Sequence, residues 1–413
     1  MDKQKYNLKE SLAELDKLLG LSAKETDKIA CEDLAEKARI IADQTDKTAC
    51  EDLAEKARII YEQFPESEEI ALRYAITLLI LSTKQTVLKE RMATVEKVQS
   101  LQQKFQDSHD IAEAFAKILV NLSIKQTVLK ELETTAKKIE KLQQKFQDSH
   151  DIAEAFAMIF VNLSAEQTVL KELETTAKKI EKLQQKFQDS HDIAEAFAMI
   201  LSNLSIKQTE LKEWKATAEK LEKLQQQFPE SPNIALRYAR ILFKLSIEQT
   251  ELKERKATVE KLEKLQQQFP ESPDIALEYA RILFILSFEQ TELKEIEATA
   301  EKLEKLHEHE RFQESEEIAF IYGMFLAILF NHQTELSERL QTTKIIKKLY
   351  EQFSKFMLQN FDDLFFSNEN VCDSEEYMLF NFILREGLLN NTKYAILQKW
   401  TDRYKEDSSE LRN

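Results

Sequence analysis

The sequence predicts an all-α solenoid, a stack of antiparallel helix pairs, and three observations carry that prediction. Turn-forming residues are scarce, one pattern recurs every 41 residues, and each copy of the pattern contains two helical periodicities. The chain has 413 residues, of which only 3 are glycine and 5 are proline. Glycine supplies the backbone conformations that tight turns and hairpins need, so its scarcity argues against sheets and phosphate loops. Charged residues make up 32%, mostly the helix formers Glu and Lys, and hydrophobic residues make up 43%, enough for a continuous core.

The repeat is anchored on isoleucine. Ile70, Ile111, Ile152, Ile193, Ile234 and Ile275 are each 41 residues apart, and Ile318 follows after 43 because His307–Arg311 carries two extra residues. Residues 123–163 and 164–204 are nearly identical, as expected of tandem duplication. Three residues before each anchor stands a serine, from Ser67 to Ser315, placed to cap a helix start. Pro232 and Pro273 follow two of these serines, at the first helical position that proline favours.

The helix that follows, helix A, is apolar on most of its circumference: Ile275, Leu277, Tyr279, Ala280, Ile282, Leu283, Phe284, Ile285 and Leu286 in one copy. Such a helix belongs between neighbours. It is expected to end at a Leu-Ser pair such as Leu245-Ser246, followed by a turn that carries Gln-Thr in all seven copies, from Gln85-Thr86 to Gln333-Thr334. The spacing places the start of helix B at Ser246 or at Thr250. Helix B shows one apolar stripe (Leu252, Val259, Leu262, Leu265, Phe269) and ends at phenylalanine in each copy, Phe312 included. A lone pair cannot bury both faces of helix A, whereas a stack can, each A helix being covered by its own B helix and the next pair in one elongated domain.

Aromatic residues fill the column four after the anchor (Tyr74, Phe115, Phe156, Phe197, Tyr238, Tyr279, Tyr322), and Ala or Gly fills the next. A large residue followed by a small one in the first helix, with Pro near the unit's end, resembles the tetratricopeptide repeat, most closely over Ser272–Leu283 and in outline over residues 64–353. The resemblance implies a right-handed superhelix whose A helices line a concave surface that receives peptides or partner helices. The unit departs from the family's typical 34 residues by one heptad, which leaves the apolar face in phase. Larger residues such as Thr258 and Leu265 replace the family's small second-helix positions. A HEAT-like solenoid is the alternative architecture.

The domain plan is therefore residues 1–66, N-terminal helices and an irregular capping repeat; 67–353, seven repeats; and 354–413, an aromatic-rich helical cap. Leu8, Leu12, Leu15 and Leu19 outline a first helix. Residues 30–41 recur at 49–60, and the shift of 19 predicts a break near Asp43–Asp46 so that both copies face the core. The C-terminal segment, with Phe356, Phe361 and Trp400, is expected to shield the open end of the stack or to form a partner-docking or self-association surface.

Mapping the family's groove positions onto this chain implies partner contacts at Lys117, Arg240 and Arg281, directly after the small residue, with Ile76, Met158, Met199 and Met324 in the same column. Leu277 and Phe320 stand three before the small residue, and Asn121, Asn162, Asn203 and Lys244 near the helix end. The alternatives are that the asparagines cap helix A and that the basic residues pair with neighbouring glutamates.

Other chemistry is not expected. A formal charge of −16 repels phosphate backbones, which argues against nucleic acid. Cys31, Cys50 and Cys372 are too few and scattered for a disulfide framework. No apolar h-region or membrane-length apolar run occurs, so neither membrane insertion nor export is expected and the cytoplasm is the expected address. His109, His150 and His191 recur in Asp-Ser-His-Asp turns, but they align with Pro232 and Pro273 and read as helix-start residues. Glu304-x-x-His307 is half of a di-iron motif without its other half. No metal, cofactor or catalytic set is expected, and Cys372 beside Asp373 and Glu375 is too little for an enzyme. The functional expectation is a non-catalytic scaffold holding a peptide or partner helix, or alternatively a peptide or small-ligand receptor that acts by changing superhelix pitch.

Overall fold

A computed structural model describes Ala13, Asp16, Lys17 and residues 46–353. The expected first helix, the 30–41 copy with Cys31, and the aromatic-rich segment 354–413 with Cys372 lie outside the described residues. The described chain is helical, with short turns and no strand. The helices are α1 Lys47–Gln63, α2 Glu68–Lys84, α3 Leu88–Lys104, α4 His109–Ser123, α5 Leu129–Lys145, α6 His150–Glu166, α7 Leu170–Lys186 and α8 His191–Lys207. They continue with α9 Leu211–Gln227, α10 Pro232–Glu248, α11 Leu252–Gln268, α12 Pro273–Ser287, α13 Leu293–Glu308, α14 Glu316–His332 and α15 Leu336–Gln352. Even-numbered helices are A helices and odd-numbered ones, after α1, are B helices. The chain divides into two compact units, Met1–Lys207 and Gln208–Asn413.

Within each unit the A helices form the buried layer. In the first unit α4 packs on α2, α3, α5 and α6, and in the second α12 packs on α10, α11, α13 and α14. An A helix is thus covered by the preceding B helix and the preceding A helix as well as by its own B helix and the next A helix. That explains its all-round burial: in α12, Ile275, Ala276, Tyr279, Ala280, Ile282, Leu283, Phe284 and Ile285 are all buried. The B helices bury a single stripe, Leu132, Thr135, Ala136, Ile139 and Leu142 in α5, and leave Glu and Lys in water.

The helix starts follow the serine rule. Ser67, Ser149, Ser190, Ser231, Ser272 and Ser315 each accept from the backbone N–H three residues on, at 3.2–3.4 Å. Ser108 stands at the same N-cap position without that bond. Asp46 caps α1 by accepting from Ala49 N at 2.8 Å, so a helix does begin directly after it.

The A–B boundary matches expectation in part. Helix A ends at the Leu-Ser serine in α4 and α12 (Ser123, Ser287) but runs two residues past it in α2, α6, α8 and α10, and helix B begins at Leu252, just after Thr250. Ser246 is buried inside α10, its hydroxyl donating to the Phe243 carbonyl at 2.6 Å, so it is not a helix start. Phe312 also departs from its counterparts, because α13 stops at Glu308 and the two added residues carry the chain through a turn to a fully buried Phe312.

The Gln-Thr turn has a structural cause, in the glutamine and in a threonine on helix B. In six pairs a helix-B threonine donates to the glutamine side-chain carbonyl: Thr94 to Gln85, Thr135 to Gln126, Thr176 to Gln167, Thr217 to Gln208, Thr258 to Gln249 and Thr342 to Gln333, at 2.9–3.0 Å. In the remaining pair the Gln290 amide donates to Thr299 at 2.9 Å. Both partners are buried in every case, so each pair satisfies groups that would otherwise be stranded from water. Thr258, too large for the tetratricopeptide small position, is one of these partners.

Thr176→Val should therefore lower unfolding free energy by about 1–3 kcal/mol, because Gln167 is left buried without its partner. The double variant Gln167→Leu/Thr176→Val should recover part of that loss in denaturant titrations, and strictly additive losses would show that the pair is not coupled.

Candidate interaction surface

The A helices also set the side chains that the sequence assigns to a partner. Asn121, Asn162 and Asn203 are half-buried near the ends of α4, α6 and α8. Each Nδ2 donates to the Leu-Ser serine of the preceding A helix, Ser82, Ser123 and Ser164, at 2.8, 2.8 and 2.9 Å. Each of those serines donates in turn to a carbonyl three residues back in its own helix, at 2.7–2.8 Å. The asparagines are struts between A helices, a role distinct from both capping and partner contact. The signal was present in the sequence, since each asparagine lies 39 residues after a serine, but it is visible only once the repeats are stacked.

Lys117 bridges to Asp151 on the next A helix at 2.6 Å, with side chains 25% and 17% exposed. The same column carries Met158, 40% exposed, and Met199, half-buried. Beside them runs a row of carboxylates. Glu113 and Glu154 accept from the cap hydroxyls of Ser149 and Ser190 at 2.9 and 3.1 Å, tying each A helix to the start of the next. His109, His150 and His191, the first residues of their helices, sit one turn before Glu113, Glu154 and Glu195, at 3.4, 3.0 and 3.5 Å. Among the described residues no group of three or more His, Cys, Asp and Glu side chains is placed to hold a metal ion.

In the second unit Arg281 is buried, its Nη1 3.2 Å from the fully buried carboxylate of Glu278 one turn earlier. Arg240, half-buried on α10, lies close enough to act on the same carboxylate. Burial pushes the Glu278 carboxyl above its ordinary range, and the two arginines only partly offset it. Lys244 sits over the indole of Trp214, 4.4 Å from the ring centroid. Leu277 is half-buried and Phe320 is buried. The structure thus brings Arg240 and Arg281 together around Glu278, a residue that sequence reasoning did not single out. It places Arg281 and Phe320 inside the protein, away from the surface on which they were expected. Lys117, Arg240, Lys244 and Leu277 remain partly open.

Among the described residues no helix is long and apolar enough to cross a membrane. No family model matches the chain, and no curated protein matches it. A solved structure described as "Computational Design of Self-Assembling Cyclic Protein Homooligomers" is 14% identical over 86% of this chain and 98% of its own, with a TM-score of 0.10. At that TM-score the likeness says nothing of assembly or function.

Glu154 supplies a test of the carboxylate row. Burial, and then the charge of Asp192, push its carboxyl up, while His150 and the Ser190 hydroxyl pull it down. A carboxyl raised in the folded state binds its proton more tightly than in the unfolded chain. Its stabilising contribution is full below the ordinary value of 4.5 and is lost as pH rises through the folded value. Glu154→Gln should therefore melt progressively higher relative to the unaltered protein as pH rises above 4.5, and a difference independent of pH would contradict this assignment.

Proposed function

We propose that this chain is a non-catalytic, cytoplasmic interaction scaffold of tetratricopeptide-like repeats, whose A-helix face binds a peptide or a partner helix. The supporting observation is a contrast inside the repeat itself. The columns that hold the helices together are constant: serine cap, isoleucine, alanine, aromatic, small residue, glutamine and threonine. The column directly after the small residue changes from Ile76 to Lys117, Met158, Met199, Arg240, Arg281 and Met324. A frame that repeats while the open members of one column vary, Lys117, Met158 and Met199 in the first unit and Arg240 in the second, suits surfaces that read different groups on a partner. Met158 is the most open of these positions, an exposed flexible thioether one turn after Glu154, of the kind that adapts to a partner's apolar side chains.

The partner is to be identified by capture on the intact protein from its native cells, followed by mass spectrometry. Met158→Glu and Arg240→Glu, both at partly open positions, should each weaken the purified partner's binding by about tenfold or more, equivalent to about 1.4 kcal/mol. Circular dichroism should remain helical in both. Unchanged affinity in both variants would remove the A-helix face as the binding surface.

A further inference from the structure

A different surface, independent of the A-helix face, lies at the A–B turns of the first unit, and we propose that it docks an acidic amphipathic helix of a protein partner. The first residues before α3, α5 and α7 are Val87, Val128 and Val169. All three occupy the N-cap position in extended backbone and make no side-chain cap bond. They are 50%, 53% and 50% exposed, and Ile124 in the turn before Val128 is 57% exposed. The matching position in the second unit is Glu210, Glu251, Glu292 and Glu335; Glu210 forms a reciprocal cap with Glu213, while the other three, like the valines, make no side-chain cap bond. An apolar residue in place of a capping side chain forgoes about 1 kcal/mol per helix. What sets the first unit apart is an apolar side chain left half-exposed at this position three times in succession, which points to something outside the fold.

Charge selects the partner. Lys84 and Lys125 precede two of these turns, and Lys89, Lys130 and Lys171 follow the valines by two residues. None of the five makes an ion pair among the described residues. They outnumber the carboxylates near them, Glu131, Glu166 and Glu172, because Glu90 is engaged by Lys47 at 2.8 Å. The positive ends of α3, α5 and α7 point to the same edge. Within a protein of net charge −16, this edge is a local cationic and apolar surface, complementary to carboxylates flanking apolar side chains.

Spacing selects the partner's form. The Asn121–Ser82 and Asn162–Ser123 bonds hold the ends of α2, α4 and α6 side by side, so the turns that follow make one row. Packed A helices lie about 8–10 Å apart, and the valine turns continue directly from their ends. A helix advances about 10.5 Å in seven residues, so apolar residues seven apart on an acidic helix would meet Val87, Val128 and Val169 in turn.

The test uses the full chain and a fluorescein-labelled helical peptide of glutamate and alanine with leucines seven residues apart. The unaltered protein should bind it, with affinity falling as salt rises. V87E/V128E/V169E, which installs the residue the second unit carries at this position, should bind about tenfold more weakly or worse. V87S/V128S/V169S should lose the apolar contribution while melting at or above the original temperature, because serine restores a cap. K125E/K130E should weaken binding and flatten its salt dependence. Absence of binding by the unaltered protein, or equal binding by both valine triple variants, would overturn the proposal. So would binding to phosphatidylcholine–phosphatidylserine vesicles without binding to the peptide, which would assign the edge to a lipid surface.

Discussion

Everything in this protein follows from helices that cannot be left half-covered. An A helix such as α14, with every residue from Ile318 to Phe330 buried where exposure is quantified, would expose apolar surface on all sides if its neighbours were removed. Each buried leucine or isoleucine contributes about 1.5–3 kcal/mol relative to exposure, so the arrangement that encloses the A layer dominates all others. The B helices answer that requirement from one side and present charge to water on the other. The small residues beside each aromatic allow the approach: Ala116, Ala157 and Ala198 in the first unit are fully buried or nearly so.

Polar pairs then fix how that apolar layer is arranged. The Gln–Thr bonds lie inside one helix pair, joining the turn to helix B. The Asn–Ser bonds join successive A helices of the first unit, and Lys–Glu pairs such as Lys179–Glu140, Lys256–Glu295 and Lys302–Glu263 join successive B helices at 2.7–2.8 Å. The surface pairs are partly exposed and each contributes about 0–1 kcal/mol. The buried amide and hydroxyl pairs matter more for specificity, since a shift of one residue would strand every one of them.

The helical class, the period, the serine caps and the buried columns were legible in the residues because they are local or recur at a fixed interval. Less legible were features set by packing between copies. The Leu-Ser serine reads as a helix end, and in α4 and α12 it is one, but in four copies it lies inside helix A with its hydroxyl on a carbonyl one turn back. The asparagines read as caps or partner contacts, because their serine partners stand 39 residues earlier in the chain. Arg281 reads as a groove cation until Glu278, three residues earlier, turns out to share its buried environment. The asparagine partners belong to another repeat, which periodicity alone does not reveal, whereas the Arg281–Glu278 pairing is local and was one of the two readings open in the sequence.

The struts between A helices have a kinetic corollary. Each connects residues 39 apart in a chain of 413, and even the ion pair of Arg73 with Asp16 spans only 57. Chains whose native pairings stay this close along the backbone lose little loop entropy before those pairings form, and they fold quickly for their size. Order can start at any helix pair of a unit and spread to the adjoining ones during synthesis, without awaiting residues still inside the ribosome.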